Sequence, residues 1–279
     1  MSYKCCKFIR NGINFTRTGV RFCNKLSASG ENSIVEYTKD FYKQFVDFKK
    51  NVISDCIKGK LPKYCEGCFY LEDKNWNEDD FKINEVELFH WNQCNCACVY
   101  CGNRNETHLK ITEKKCKSEF VDLYKTLKQF IKEKKFAEKV NVSFVGGEPT
   151  LLKEFCNILK LFMKQKYKMH ILTNGILFEK LFAKFIKSDI ENYMTISLDC
   201  GSREMFKKIK GVDKFDNVVE EDKIRTLLAA RAEKFGLLKA TNLTTVPTDN
   251  GTYFVASSTT KSGNKTTTTA ATAVAIRVR

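Results

Sequence analysis

The 279 residues carry 48 Lys and Arg against 33 Asp and Glu, a net charge of +15, with 43% apolar and 12% aromatic residues. That apolar content, with 22 phenylalanines, excludes a chain disordered throughout, and no apolar run approaches the ~18 residues of a membrane-spanning helix. Thirteen cysteines behind a start, MSYKCCKFIR, without an apolar leader point to reduced thiols and a cytoplasmic setting, not to a disulfide framework.

In chain order, residues 32–59 place apolar side chains at Ile34, Tyr37, Phe41, Phe45, Phe48, Val52 and Ile53. Steps of three and four, with Asn32 or Ser33 as cap, predict an amphipathic helix. KLPKYCEGC follows as a loop marked by Pro and Gly. INEVELFHW, from residue 83, alternates as a strand does and runs into the cysteine loop CNCACVYCGNR. Then come helix 117–136, the apolar strand VNVSFVGGEPT, helix 151–165, strand MHILTNG, helix 177–188 and strand YMTISLD.

Short apolar strands alternating with helices imply a parallel sheet with crossover helices, an α/β fold. In such a sheet the working edge lies at the strand C-termini. The cysteine loop, GGEP, TNG and SLD all fall there. The domain organisation expected is an N-terminal cysteine-bearing segment (1–80), a core (81–220) and a Thr/Ala-rich tail (221–279). In that tail GTYFVASSTT reads as an edge strand, and the rest is expected to be poorly ordered.

Cys94, Cys98 and Cys101 form C-x3-C-x2-C, with Tyr100 just before the third cysteine. Cys96 falls outside the spacing and is expected to be a bystander, while Cys116, Cys156 and Cys200 sit where a free thiol packs as a small apolar group. The spacing, together with GGEP at residues 146–149, resembles the radical S-adenosylmethionine (radical SAM) superfamily. TNG and SLD are similar to its cofactor-contacting positions. SREMFKKIKGVDKFDNVVE resembles the segment after the fourth strand in its peptide-acting subgroup with auxiliary, SPASM-like clusters.

The resemblance covers residues 82–220 and implies a partial (β/α) barrel of the radical SAM type, with about four β/α units where the family has six. It implies a 4Fe-4S cluster on Cys94, Cys98 and Cys101, one iron being left open for S-adenosylmethionine. Cofactor contacts would come from Tyr100, Gly146, Gly147, Glu148, Pro149, Asn174, Ser197 and Asp199. It further implies oxidoreductase chemistry: reductive cleavage to a 5′-deoxyadenosyl radical that abstracts hydrogen, a flavodoxin or ferredoxin as electron donor, and a peptide as substrate. The residue types agree: two glycines permit close main-chain approach, Glu148 brings negative charge, and Pro149 stiffens the turn.

A second cysteine group comprises Cys23, Cys65, Cys68 and one of Cys5 or Cys6, with Cys6 taken as the fourth ligand. It resembles the superfamily's auxiliary modules but precedes the core where they usually follow it. Four thiols suit a second iron–sulfur cluster first; a zinc ion fits the same count, and a group without metal is the remaining alternative. Two other readings stand beside the enzyme. One is a zinc-ribbon nucleic-acid binder pairing Cys65/Cys68 with Cys98/Cys101; the other is an inactive remnant short of two β/α units. The lysines fall in helical patterns as a solvated face, so neither nucleic acid nor a membrane is an expected partner.

Overall fold

The computed structural model describes residues 2–23, 34–76, 81–101, 120–188, 191–219, 242–248, 251–262 and 265–274. Two compact units emerge: Met1–Trp91 with Lys117–Gly146, and Asn92–Cys116 with Gly147–Arg279.

The first unit contains β1 (Ser2–Cys5), α1 (Lys7–Asn11), β2 (Gly12–Phe15), β3 (Gly19–Arg21), β4 (Val35–Glu36) and α2 (Phe41–Ile57). After them come β5 (Glu72–Asn75), β6 (Ile83–Leu88), α3 (Leu123–Lys132) and β7 (Phe136–Phe144). β2 lies parallel to β6, and β6 parallel to β7, while β3 joins β2, and β4 joins β3, antiparallel. β1 and β5 form a separate antiparallel pair. The boundary expected at residue 80 therefore cuts through a sheet, because β2 supplies a parallel neighbour to the strand at 83–88.

Helix α2 starts at Phe41, well inside the expected 32–59. The β-branched Ile34 and Val35 go to the sheet edge instead: Val35 pairs with Val20, and the Ile34 N–H donates to Val20 O at 2.9 Å. The expected caps Asn32 and Ser33, Cys116, and residues 117–119 of the next expected helix lie outside the described residues. That helix, α3, ends at Lys132 and not at 136, because Phe136 opens β7. Phe130 on α3 is the hub of the aromatic core. It contacts Phe15 at 6.1 Å, Tyr42 at 4.7 Å, Phe41 at 6.0 Å and Phe136 at 6.1 Å between ring centroids.

The second unit continues the β/α alternation with α4 (Phe155–Lys164), β8 (Lys168–Thr173), α5 (Leu181–Ser188), β9 (Tyr193–Ile196), α6 (Arg203–Lys210) and α7 (Phe215–Val219). β8 and β9 are parallel. The apolar faces of α4 and α5 bury Phe155, Ile158, Leu159, Phe162, Phe182 and Phe185, the stripe their i, i+3/i+4 spacing prescribes. The tail forms an antiparallel meander, β10 (Asn242–Thr248), β11 (Gly251–Ser262) and β12 (Lys265–Val274), where irregular chain with one edge strand was expected. Its many β-branched threonines favour extended backbone.

Candidate functional site

The cysteine loop follows β6 and belongs to the second unit. Glu148 is 2% exposed and its carboxylate is fully engaged. Thr150 N–H (3.2 Å), Thr150 Oγ1 (2.6 Å) and Thr173 Oγ1 (2.6 Å) donate to Oε1, and Asn174 N–H donates to Oε2 at 2.8 Å. Glu148 N–H itself donates to Gln93 O at 2.9 Å. Complete burial raises this carboxyl's pKa, and the four donated hydrogen bonds oppose the rise. Glu148 is thus a brace between the turn and the end of β8.

The brace continues into the loop. Asn174 Nδ2 donates to Asn95 Oδ1 at 2.6 Å and reaches Cys94 Sγ at 3.7 Å, while its Oδ1 accepts from Ile176 N–H at 3.0 Å. Cys94 Sγ also accepts the Cys96 N–H at 3.4 Å. Cys96 is buried, and its thiol hydrogen-bonds to both Cys94 and Cys98. Contact with Cys96 lowers the pKa of these two neighbours, Cys98 to about 6, where the Lys210 charge and the Tyr100 hydroxyl assist. The residue taken as a bystander therefore sits between two of the expected ligands. Cys101 is half-buried, its N–H donating to Cys98 O at 3.1 Å.

On the other side of the loop, Tyr100 OH bonds to Asp199 Oδ2, and Lys210 Nζ ion-pairs with the same oxygen. Lys210 Nζ also donates to Tyr100 OH at 2.9 Å. Tyr100 and Asp199 border a cleft of about 870 Å³ lined also by Val99, His170, Leu172, Thr195, Ser197 and Ile209. Ser197 and Asp199, singled out at the end of β9, both line it. Asp199, at φ +64, spends its carboxylate on Tyr100 and Lys210. Burial lowers the pKa of His170, and its Nε2 lies 3.0 Å from Thr195 Oγ1.

Gly146 has φ +111, and a Cβ there would stand 3.0 Å from Trp91 O and 3.1 Å from Phe89 Cδ2. The first glycine of GGEP is thus required by its backbone. Pro149 opens a short 3-10 turn, Pro149–Leu151, and Gly147 forms the bend before it.

In the first unit, Cys6, Cys23, Cys65 and Cys68 line one cavity of about 320 Å³, with Phe8, Phe22 and Glu87. Cys5 is not part of that lining: its Sγ lies 3.9 Å from Cys6 O, and the Cys56 thiol, with burial, raises its pKa. Burial pushes Cys6 up to about 11. Lys49 is 2% exposed, with Nζ donating to Gly12 O at 3.2 Å; desolvation, and then the Arg10 charge, lower it to about 7. Among the described residues no three His, Cys, Asp or Glu side chains are drawn together at metal-ligand spacing. The fit of a metal therefore rests on donor chemistry: three thiols on one loop, and four thiols around one cavity. The same cavity argues against a zinc ribbon, since it groups Cys65 and Cys68 with Cys6 and Cys23.

The profile of the Radical SAM superfamily matches residues 88–256, more than half of the chain. This chain belongs to the radical SAM superfamily. It is 30% identical over 131 residues to a protein named probable GTP 3′,8-cyclase from Saccharolobus islandicus (strain Y.N.15.51 / Yellowstone #2), a match covering 46% of this chain and 38% of that one. A protein of the same name from Methanocaldococcus jannaschii is 29% identical over 140 residues, covering 50% and 44%. The chain spans less than half the length of these curated relatives.

Among solved structures, it is similar to Streptococcus suis SuiB bound to S-adenosylmethionine, with a TM-score of 0.39 and 16% identity over 75% of this chain and 40% of that one. It is also similar to anSMEcpe with bound AdoMet and Cp18Cys peptide, with a TM-score of 0.34 and 23% identity over 55% and 39%. Among the described residues no helix is long and apolar enough to cross a membrane.

Of the radical SAM positions read from sequence, Glu148, Asn174 and Cys94 meet in one hydrogen-bonded chain, and Tyr100, Ser197 and Asp199 share the cleft. Asn95, Thr150, Thr173 and Lys210 went unnoticed in the sequence. The available signal for Lys210 was its i+4 spacing from Phe206, which is fully buried on the same helix.

Proposed function

We propose that this chain is the core of a radical SAM enzyme, with Cys94, Cys98 and Cys101 holding a 4Fe-4S cluster beside S-adenosylmethionine. When bound, that pair supplies a 5′-deoxyadenosyl radical after one-electron reduction, by a flavodoxin or ferredoxin. The observation that carries the reading is Asn174, which donates its N–H to Glu148 and its side-chain amide to Asn95 and Cys94, tying the GGEP turn, the TNG strand end and the cysteine loop by direct hydrogen bonds. Three thiols on a loop leave one coordination place of a cubane free. Gly147, without a side chain, suits close approach of the methionyl end, and the Val99–Ile209 cleft offers apolar and hydroxyl groups to a nucleoside. Glu148 also fixes Asn174, whose N–H it accepts.

The reading includes a second metal centre at Cys6, Cys23, Cys65 and Cys68, iron–sulfur or zinc, supported by their shared cavity. The substrate class it carries is a peptide, from the resemblance of residues 202–220 to the peptide-acting subgroup.

Anaerobic reconstitution with iron and sulfide tests both sites, comparing wild type with a Cys94/Cys98/Cys101 triple alanine variant and a Cys65/Cys68 double alanine variant. The expected result is about four irons lost with the triple variant, and 5′-deoxyadenosine released under dithionite by wild type alone. Equal iron in all three proteins would remove the reading. Iron binding without nucleoside release would favour the inactive remnant.

A further inference from the structure

Lys210 belongs to no motif, yet it is among the most deeply buried charges in the chain, at 1% exposure. It is the last residue of α6, where a cation also suits the helix C-terminus. Its ammonium faces two groups from different segments: Asp199, three residues beyond β9, and the hydroxyl of Tyr100 in the cysteine loop, at 2.9 Å. The same helix end grips the loop's main chain. Ala97 N–H donates to Lys210 O at 2.7 Å, and Val99 N–H donates to Ile209 O at 2.9 Å.

Gly211, at φ +69, lets this approach happen, since a Cβ there would lie 2.9 Å from Ala97 Cβ and 2.9 Å from Ala97 O. Two backbone bonds and one buried charge therefore converge on residues 97–100. Tyr100, by contrast, is 60% exposed, and its ring has little packing to hold it. What fixes its direction is its hydroxyl, held by Asp199 and Lys210.

We propose that Lys210 is a positioning residue: its buried ammonium locks Tyr100 to Asp199 and so holds the cysteine loop against the β9 end, shaping the wall of the nucleotide cleft. The link to nucleotide rests on the radical SAM reading of the cleft; the link to the loop does not. Lysine does this where a neutral residue cannot, because its buried ammonium pairs with the Asp199 carboxylate, and the third partner, a phenol, accepts a further N–H. Arginine keeps the charge and the donors.

The test uses the full 279-residue chain. Hydrogen exchange is followed in iron-free wild type, Lys210→Met, Lys210→Arg and Tyr100→Phe. Tyr100→Phe removes only an oxygen from an exposed side chain, so it reports on the lock even should Lys210→Met fold poorly. Lys210→Met and Tyr100→Phe are expected to speed exchange at residues 96–101 at least ~10-fold while α4 and β8 keep wild-type rates, and Lys210→Arg is expected to restore protection. Unchanged loop exchange in Tyr100→Phe, or equal acceleration in α4 and β8, overturns the proposal.

Titration of iron-loaded protein with S-adenosylmethionine forms the second arm. Affinity is expected to fall about tenfold in Lys210→Met at equal iron content. A loosened loop with unaltered affinity overturns Lys210's role at the nucleotide. A loop loosened in the two variants, with wild type itself binding no S-adenosylmethionine, defeats the radical SAM reading and leaves the lock standing.

Discussion

Asn174 donates its side-chain amide to Asn95 Oδ1 at 2.6 Å, so the last turn of β8 and the cysteine loop are joined side chain to side chain. Both residues are buried, and a buried amide bond costs far more to break than it contributes net, because the orphaned partner stays desolvated. The orientation of Asn174 is in turn set by Glu148, which takes its N–H. A perturbation at Glu148 is therefore felt at Cys94, two hydrogen bonds away.

Glu148→Gln is the sharpest probe of that relay. The new amide turns an NH2 towards groups that already donate, and one acceptor is lost. The iron-free variant is expected to lose about 3 kcal/mol of stability in urea unfolding. A loss below ~1 kcal/mol would mean that the carboxylate is not the brace described.

Lys49 gives a pH prediction. Its folded pKa, about 7, lies below its ordinary 10.5, chiefly from burial, with the Arg10 charge adding to this and the nearby Cys5 and Cys6 opposing it. Between those two values the unfolded chain binds more protons than the folded one, so stability attributable to this group rises with pH across that window and levels off above it. The difference between wild type and Lys49→Met in metal-free protein should change by up to ~1.4 kcal/mol per pH unit there. Parallel stability curves for the two proteins from pH 7 to 10 would contradict it.

Gly146→Ala should strain the turn before Glu148, since φ +111 disfavours any side chain and the Cβ would press on Trp91 O at 3.0 Å. The expected cost is roughly 1–3 kcal/mol, read as a lowered urea midpoint with unchanged slope. Gly59→Ala serves as a control, because Gly59 has φ +77 with nothing within 4 Å. It carries the strain without the collision and should cost less.

Phe130→Ala tests the aromatic hub of the first unit. Phe130 is 5% exposed and meets four other rings, so its removal leaves a cavity bounded by rigid groups. About 3–5 kcal/mol should be lost in equilibrium unfolding. A small effect would show that the rings around it collapse readily.

Periodicity and spacing determined a good deal of this protein. The alternation of short apolar strands with amphipathic helices from residue 83 to 219 is local, and each apolar stripe had one sensible burial partner, so the β/α order was legible. The C-x3-C-x2-C loop and GGEP were legible too, because backbone and metal chemistry restrict residue type at fixed offsets. What spacing could not carry was pairing between distant segments. That β2 joins β6 depends on hydrogen bonds formed by backbone groups all residues share. That Cys6 rather than Cys5 lines a cavity with Cys23, Cys65 and Cys68 depends on how distant segments fold together, which spacing does not carry. Lys210 looks in sequence like one more solvated lysine in KKIK; only the folded chain reveals that its helix end closes on the cysteine loop, where leaving water becomes tolerable because Asp199 and Tyr100 are waiting.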